Sequence, residues 1–445
     1  MKFMLKDHRF NRNQRGVTVV LVAILMVVFL GFAALAIDIS HLYLVRNELQ
    51  NAADAGALAG ARFLYREDPT APYGIILDTG EARAKALGTA TANKSENLVV
   101  EVDNPDTQDG DIQIGHWSFG IGTLEKGFYL PDGPPVYDIW NYSTQELDAN
   151  KNLINAVKVT TRRGGSSPTA SQAASFFARI FGYQGFSVSA GGVGYIGYTG
   201  TFAPGEVDLP IGICRQAITD PTTGKLLCGV GRMINSGANV GHETGGWSNF
   251  TQDPCETANV PSVRPYVENC SGSVNTTMIY FGEGMGTTGG MQQTIYDDLI
   301  RCWKIQAGLD PNGTTFPDQP WSVTLPVILC PGNNTGNCSQ VDGAVEIAIV
   351  WITRTGVKIS YDPVPKQMYN PAKDQMWTCT TGSTNQQCWE QFVQEFGLKD
   401  VLNNTDATLE DKTIYFLPLC KELKLEGQTG GHSYGILAKI PVLVK

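Results

Sequence analysis

The sequence predicts an α+β protein built on a single N-terminal transmembrane helix that continues into a stalk helix, and three observations carry that reading. Val17–Ile37 is a run of 21 residues without Asp, Glu, Lys or Arg. All ten cysteines fall at or after Cys214. Between these features helical periodicity gives way to short β-branched and aromatic runs bounded by Gly and Pro. The expected order is a basic tail (1–16), a transmembrane helix (17–37), a stalk helix (38–65), an α+β module (66–200) and a cysteine-rich, β-dominated, disulfide-stapled module (205–445).

As a helix the apolar run measures ~31 Å, about one hydrocarbon core, with Val17, Leu21, Ile24, Val28, Leu35 and Ile37 along the anchor. Secretory leaders usually have an apolar core of about 7–15 residues, so the length favours a retained anchor. Ala34-Leu35-Ala36 nevertheless fits the small-x-small pattern that signal peptidase cuts, with the break before Ile37. Lys2, Lys6, Arg9, Arg12 and Arg15 against Asp7 give the tail a charge of +4. A basic flank stays cytoplasmic, so the tail is expected inside and the remainder outside. The whole chain carries −10, which leaves −14 for the part after residue 16. That sign excludes nucleic acid as an expected partner and is otherwise what solubility asks for.

Beyond the span, Asp38–Leu64 has no Pro and is rich in Ala and Leu. Leu42, Val45, Leu49, Ala52, Gly56, Ala59 and Phe63 recur at steps of three and four, one stripe on one helix face. Gly56 and Gly60, one turn apart, have the small-xxx-small spacing that admits another backbone at close range. A stalk ~40 Å long must bury this stripe; the protein's own sheet is the favoured cover and a partner's helix the alternative.

Next come a short helix at Gly80–Asn93 and strands at "NLVVEV", "DIQIGHWSF" and "INAVKVTT". A second helix is expected over "SQAASFFARIFG" (171–182), stopped by Gly182, and leads into the strand "GFSVSAGGVGYIGY". Thr199–Pro210 is punctuated by Gly and Pro and serves as the boundary. After it "LPIGIC", "KLLCGVG", "TMIYF", "WSVTLPVILC", "AVEIAIVWITRT" and "GILAKIPVLV" read as strands, with a helix at Gly289–Ile305.

An even number of cysteines in a segment sent outside the cytoplasm reads as a disulfide framework. Spacing does not fix the connectivity. Short separations allow Cys214–Cys228, Cys255–Cys270, Cys330–Cys338 and Cys379–Cys388, which would leave Cys302 with Cys420. A metal site is the weaker reading, since there is no CxxC pair and only five His.

Motifs for catalysis are missing. "GHETGG" (241–246) lacks the second His of a zinc-protease helix, and no GxSxG, Walker or dinucleotide fingerprint occurs. No enzyme activity, catalytic residue, metal or cofactor is therefore expected. "DNPDTQDGD" (103–111) gathers four carboxylates but misses the EF-hand order, so an acidic, solvated turn is preferred over Ca²⁺.

"RGVTVVLVAILMVVFLGFAALAIDISHLYLVRNELQNAADAGALAGA" resembles the N-terminal segment of the TadE/TadG-like proteins of the tight-adherence (Flp pilus) assembly system. "NAVKVTTRR", "SFFARIFG" and "VSAGGVGYIG" resemble the end of the membrane-proximal region in TadG-like members. The resemblance implies a pilin-like first module, an inner-membrane location with the C-terminal part periplasmic or extracellular, and other pilus-assembly or pilin-like proteins as partners. Prepilins carry Glu five residues after the cleaved Gly, where this chain has Leu21. Polymerisation as a pilin is thus disfavoured, because a buried amino terminus would lack its carboxylate. The departure matches the TadG-like branch, and the exported part contains no DxSxS motif of a von Willebrand A domain. The expected function is a membrane-anchored structural component of pilus assembly or secretion. The alternative is an adhesin-like ectodomain that reads ligands with aromatic clusters such as "WNYSTQ" (140–145) or "GGWSNF" (245–250).

Overall fold

A computed structural model describes residues 15–445 except 69–74, 138, 140–141, 165–170, 221, 224, 236–243, 269, 271–275, 291–292, 309–315, 401–403, 420–422, 430–435 and 445. Span and stalk form one uninterrupted helix of 48 residues, α1 (Arg15–Arg62). It contains no Pro, and its Ala and Leu content sustains the i to i−4 ladder. Gly31, in the apolar half, has nothing within 4 Å to cramp it. The second helix, α2 (Thr79–Ala92), starts where the Asp78 side chain accepts from the Glu81 N–H at 2.9 Å, and buries Ala82, Ala86 and Ala90.

Four strands follow: β1 (Ile112–Ser118), β2 (Gly127–Tyr129), β3 (Ala156–Arg163) and β4 (Val188–Tyr195). They make an antiparallel sheet in the order β4, β3, β1, β2. A fifth strand, Val442–Leu443, returns from the far end of the chain to pair antiparallel with β4. A strand from the last described residues is therefore built into the sheet that packs on α1. Ala57 and Ala61 of α1, Ala86 of α2, and Ile112 and Val157 of the sheet share one core.

The outer part is a seven-stranded sheet made of β5 (Ile211–Cys214), β6 (Arg232–Asn235), β7 (Gly245–Ser248), β8 (Gly284–Thr288), β9 (Trp321–Ile328), β10 (Cys338–Ile352) and β11 (Thr413–Pro418). The 15-residue β10 organises it. One edge of β10 takes β9, and the other takes β8 near its start and β11 near its end. Since β8 pairs with β7, β7 with β5, and β5 in parallel with β9, five strands close into a ring. Two amphipathic helices, α3 (Gln293–Gly308) and α4 (Asn385–Phe396), cover its flanks through edge-on ring contacts. Tyr296 meets Trp247 at 5.4 Å, Trp303 meets Trp351 at 5.2 Å, and Trp389 meets Tyr415 at 4.9 Å.

Several expectations are corrected. Residues 171–182 do not form a helix: Ala173–Ala174 is a strand and only Ala178–Phe181 winds, as one 3₁₀ turn ended by Gly182 at φ 95°. "NLVVEV" contributes the two-residue strand Leu98–Val99 and an isolated bridge from Glu101 to Arg162, and "KLLCGVG" an isolated bridge from Leu226 to Thr219. α4 was not anticipated at all. The described disulfides are Cys214–Cys330, Cys255–Cys338, Cys270–Cys302 and Cys379–Cys388, and the first three join residues far apart in sequence rather than neighbours. Only the last matches the pairing by proximity. The parallel register places Cys214 opposite Ile328, two residues before Cys330, while Cys338 opens β10 against Gly286. Cys302 on α3 is bonded to Cys270, which overturns Cys302–Cys420. Cys228 is also disulfide-bonded, and Cys420 lies outside the described residues.

Candidate functional site: the seat of the long helix

Along α1 the chain's surroundings change abruptly. Leu21, Ile24, Val28, Leu35 and Ile37 are each roughly half exposed, as are their apolar neighbours from Val19 to Phe32. Of Val17 the described residues give the helix position but not the side chain. From Val45 onward, one face of the same helix is buried.

That face is seated by glycine on three sides. On β4, a Cβ at Gly192 would collide with Asp54 of α1, and one at Gly194 with the Ala57 carbonyl, 2.6 Å from its carbon and 3.0 Å from the Leu58 nitrogen. The strand therefore touches helix backbone, a separation that a side chain would widen. On α1 itself, a Cβ at Gly56 would lie 3.0 Å from both the Ala86 oxygen and the Ala90 Cβ. One at Gly60 would lie 2.9 Å from Val157 Cγ1 and 3.0 Å from the Ala86 Cβ. Two polar ties fix the register: Thr161 Oγ1 donates to the Leu49 carbonyl at 2.7 Å, and Gln50 Nε2 donates to the Gly191 carbonyl at 3.1 Å.

Of the stripe read from sequence, Leu49, Ala52, Gly56 and Gly60 are buried and Ala59 is half-buried. Phe63 is 40% exposed, with the Lys85 ammonium 5.0 Å from its ring. A strict seven-residue repeat drifts by about 20° per heptad on a straight helix, so the buried line shifts to Ala53, Ala57, Ala61 and Leu64. We expect Gly56→Leu with Gly60→Leu to force α2 and β3 away, at about 1–3 kcal/mol for overpacking. Limited proteolysis of the full chain should then cut residues 79–163 faster; unchanged resistance would mean the contact carries no stability.

Where the apolar run ends, Asp38 is only 6% exposed. Its carboxylate accepts the backbone N–H groups of Phe176 at 2.9 Å, Phe177 at 3.2 Å and Ala178 at 2.7 Å, which open the 3₁₀ turn. One turn along, His41 Nε2 is 2.7 Å from Glu96 Oε1, and the His41 ring meets Phe176 edge-on at 4.9 Å. Glu96 Oε2 also takes Arg163, itself 2% exposed, and Glu48 accepts the Glu96 N–H. Asp38 is the first residue after the apolar run; its role as a clasp could not be foreseen from sequence, because its partners lie about 140 residues away.

Burial alone would raise the Asp38 pKa, but the three N–H donors outweigh it and hold the carboxyl below its ordinary 3.8. A depressed carboxylate contributes stability above its unfolded pKa and loses it as pH falls through the folded one. The clasp should therefore be intact from neutrality down to the ordinary carboxylate range, weaken as pH falls below about 4, and open only once pH has passed below the lowered pKa of the folded state. Hydrogen exchange at 176–178 should accelerate over that acid range in the native chain, and be fast and nearly pH-independent, after correction for intrinsic rates, in Asp38→Ala. Equal protection in the two proteins would refute the clasp.

The acidic turn at 103–111 is tied to the sheet. Asp111 is buried and receives both Nε and Nη2 of Arg162, at 2.7 and 2.5 Å. Among the described residues no group of three His, Cys, Asp or Glu is placed to hold a metal. Trp247 and Phe250 of "GGWSNF" are core residues, 2% and 3% exposed, while Trp140 and residues 241–243 of "GHETGG" lie outside the described residues. The clustering of glycines in "VSAGGVGYIG" was the signal in the sequence for this close packing of β4 on α1.

Comparison with known proteins bears on this region of the chain. A family described as putative Flp pilus-assembly TadE/G-like matches residues 16–62, and one described as putative Tad-like Flp pilus-assembly matches residues 59–193. No curated protein and no solved structure matches. The first match spans α1 and the second runs from its last turn through β4, so the long helix and the sheet that seats it are together the matched unit. Residues 16–193 thus carry the regions that match the TadE/G-like and Tad-like families of Flp pilus assembly.

Proposed function

We propose that the protein is a structural, non-enzymatic component of Flp pilus assembly or secretion. Residues 17–37 anchor it in the inner membrane, the N-terminus is cytoplasmic, and the folded part stands in the periplasm, where it contacts other pilus-assembly or pilin-like proteins. The observation that supports this reading is the division of α1. One face of its outer half is already covered by β3, β4 and α2, whereas the apolar half has no such cover, and a bare apolar stretch about one hydrocarbon core long belongs in lipid. Leu21 at the position of the prepilin Glu supports retention of the anchor over polymerisation. Burial of Trp247 and Phe250 weighs against the adhesin reading.

The test is a deletion strain scored for surface pili, with N-terminal sequencing of the membrane-extracted protein. Loss of pili, restored by the full chain but not by one with charged residues inside 17–37, is expected, together with a mature terminus before Val17. Normal piliation, or a start at Val17 or Ile37, would overturn the proposal.

A further inference from the structure

We propose that the turn around Phe176–Tyr183 is a second membrane contact, in which apolar side chains enter the interfacial layer of the bilayer beside the point where α1 leaves it. The argument starts from exposure. Ile180 is 76% exposed and Phe181 81%, with Phe176, Phe177 and Tyr183 exposed beside them. Five large apolar or aromatic side chains within eight residues, on a turn that buries none of its own residues, are not a folding solution in water.

The second step is position. The three hydrogen bonds to Asp38 and the ring contact between His41 and Phe176 hold this turn against α1 directly after Ile37, the last residue of the apolar run. A run of 21 residues uses up about one hydrocarbon core, which places the turn at the level of the headgroups. The bilayer is thus the surface continuous with the bare face of α1. The same level carries exposed Ile39 and Tyr43 on α1, so the apolar band extends past Asp38 on the helix as well. Aromatic rings and an amphipathic cation suit this layer. Arg179, exposed on the same turn, supplies the cation, with its Nε donating to the Ser175 carbonyl.

The third step is charge. A carboxylate at the edge of lipid is costly unless it is paired. Asp38 spends its charge on the N–H groups of this turn, so the same bonds that place the apolar side chains also shield the charge nearest the membrane.

The inference rests on the reading of 17–37 as a span, and the experiment separates the two. The full chain is reconstituted in nanodiscs of phosphatidylcholine and phosphatidylglycerol that contain a phospholipid with a diazirine near the carbonyl end of its acyl chain. After illumination, lipid adducts are mapped to peptides by mass spectrometry. We expect adducts on 19–37 and on 176–183. In Ile180→Ser with Phe181→Ser, those on 176–183 should fall at least fivefold while those on 19–37 are unchanged. Adducts on 19–37 alone would overturn the second contact and leave the anchor standing. Absence from both would overturn both. Labelling of the unaltered chain decides the matter by itself, so a folding defect in the variant cannot shelter the idea.

Discussion

Replacing Gly194 by Val should unseat α1 from its sheet and produce the largest loss of any single substitution in the first module. Val is a better strand former than Gly, so nothing in β4 itself opposes the change. The obstacle is across the gap, where the new Cβ would meet the carbonyl group of Ala57 and the Leu58 nitrogen. These are helix backbone atoms that cannot rotate aside. Overpacking typically costs about 1–3 kcal/mol, and a backbone obstacle puts this case at the upper end. The displaced helix would also lose the Thr161 and Gln50 bonds. A control is at hand in Gly88, exposed on α2 with nothing within 4 Å; there Ala should be neutral or stabilise by up to about 1 kcal/mol. The measurement is protease resistance of the full chain in detergent, with cut sites mapped. Gly194→Val should open residues 79–195 while the outer sheet stays intact, and resistance equal to the Gly88→Ala control would refute the packing argument.

The same contrast shows why some of the architecture was legible in sequence and some was not. α1 could be read because its signals are local: an uncharged run, a boundary at Asp38, an Ala-rich continuation without Pro. The small residues of the stripe were visible too, but β4's matching glycines acquire meaning only once the strand is known to cross α1 at Asp54 and Ala57. Residues 171–182 have helical spacing of apolar groups, yet the N–H groups at 176–178 are taken by Asp38, and a single 3₁₀ turn is all that follows. That outcome depends on a residue far away in sequence. α4 is the opposite case. Thr384 and Gln387 form a complete capping box and Gly397 closes the helix at φ 58°, all readable from "TNQQCWEQFVQEFG". Its polar composition hid an apolar face of Trp389, Phe392, Val393 and Phe396.

Removing Cys214–Cys330 should destabilise the outer module far more than removing Cys379–Cys388, although each is one covalent bond. In the chain-entropy treatment a cross-link stabilises by restricting the unfolded chain, in proportion to the logarithm of the loop it closes. The first bond spans 116 residues and the second 9, which corresponds to about 5 and about 2.5 kcal/mol. Native surroundings act in the same direction. Cys214 is wholly buried among Ile328, Phe202 and Met285, so alanine at 214 also leaves unfilled space. Cys379 is only half-buried beside α4. The bond also joins the two strands whose parallel pairing closes the five-stranded ring, β5 and β9, which meet over only two residue pairs, Ile213 with Val327 and Cys214 with Ile328. So short a ladder has little to hold it once the cross-link is gone, and the ring should open there first. Guanidinium unfolding followed by the near-ultraviolet signal of the buried tryptophans should show a clearly lower midpoint for Cys214→Ala/Cys330→Ala than for Cys379→Ala/Cys388→Ala. In the first variant, exchange protection should be lost first at residues 213–214 and 327–328, where β5 and β9 meet, while β10 and β11 keep theirs. Equal midpoints would mean that neither loop length nor the closure of the ring governs the stability of this module.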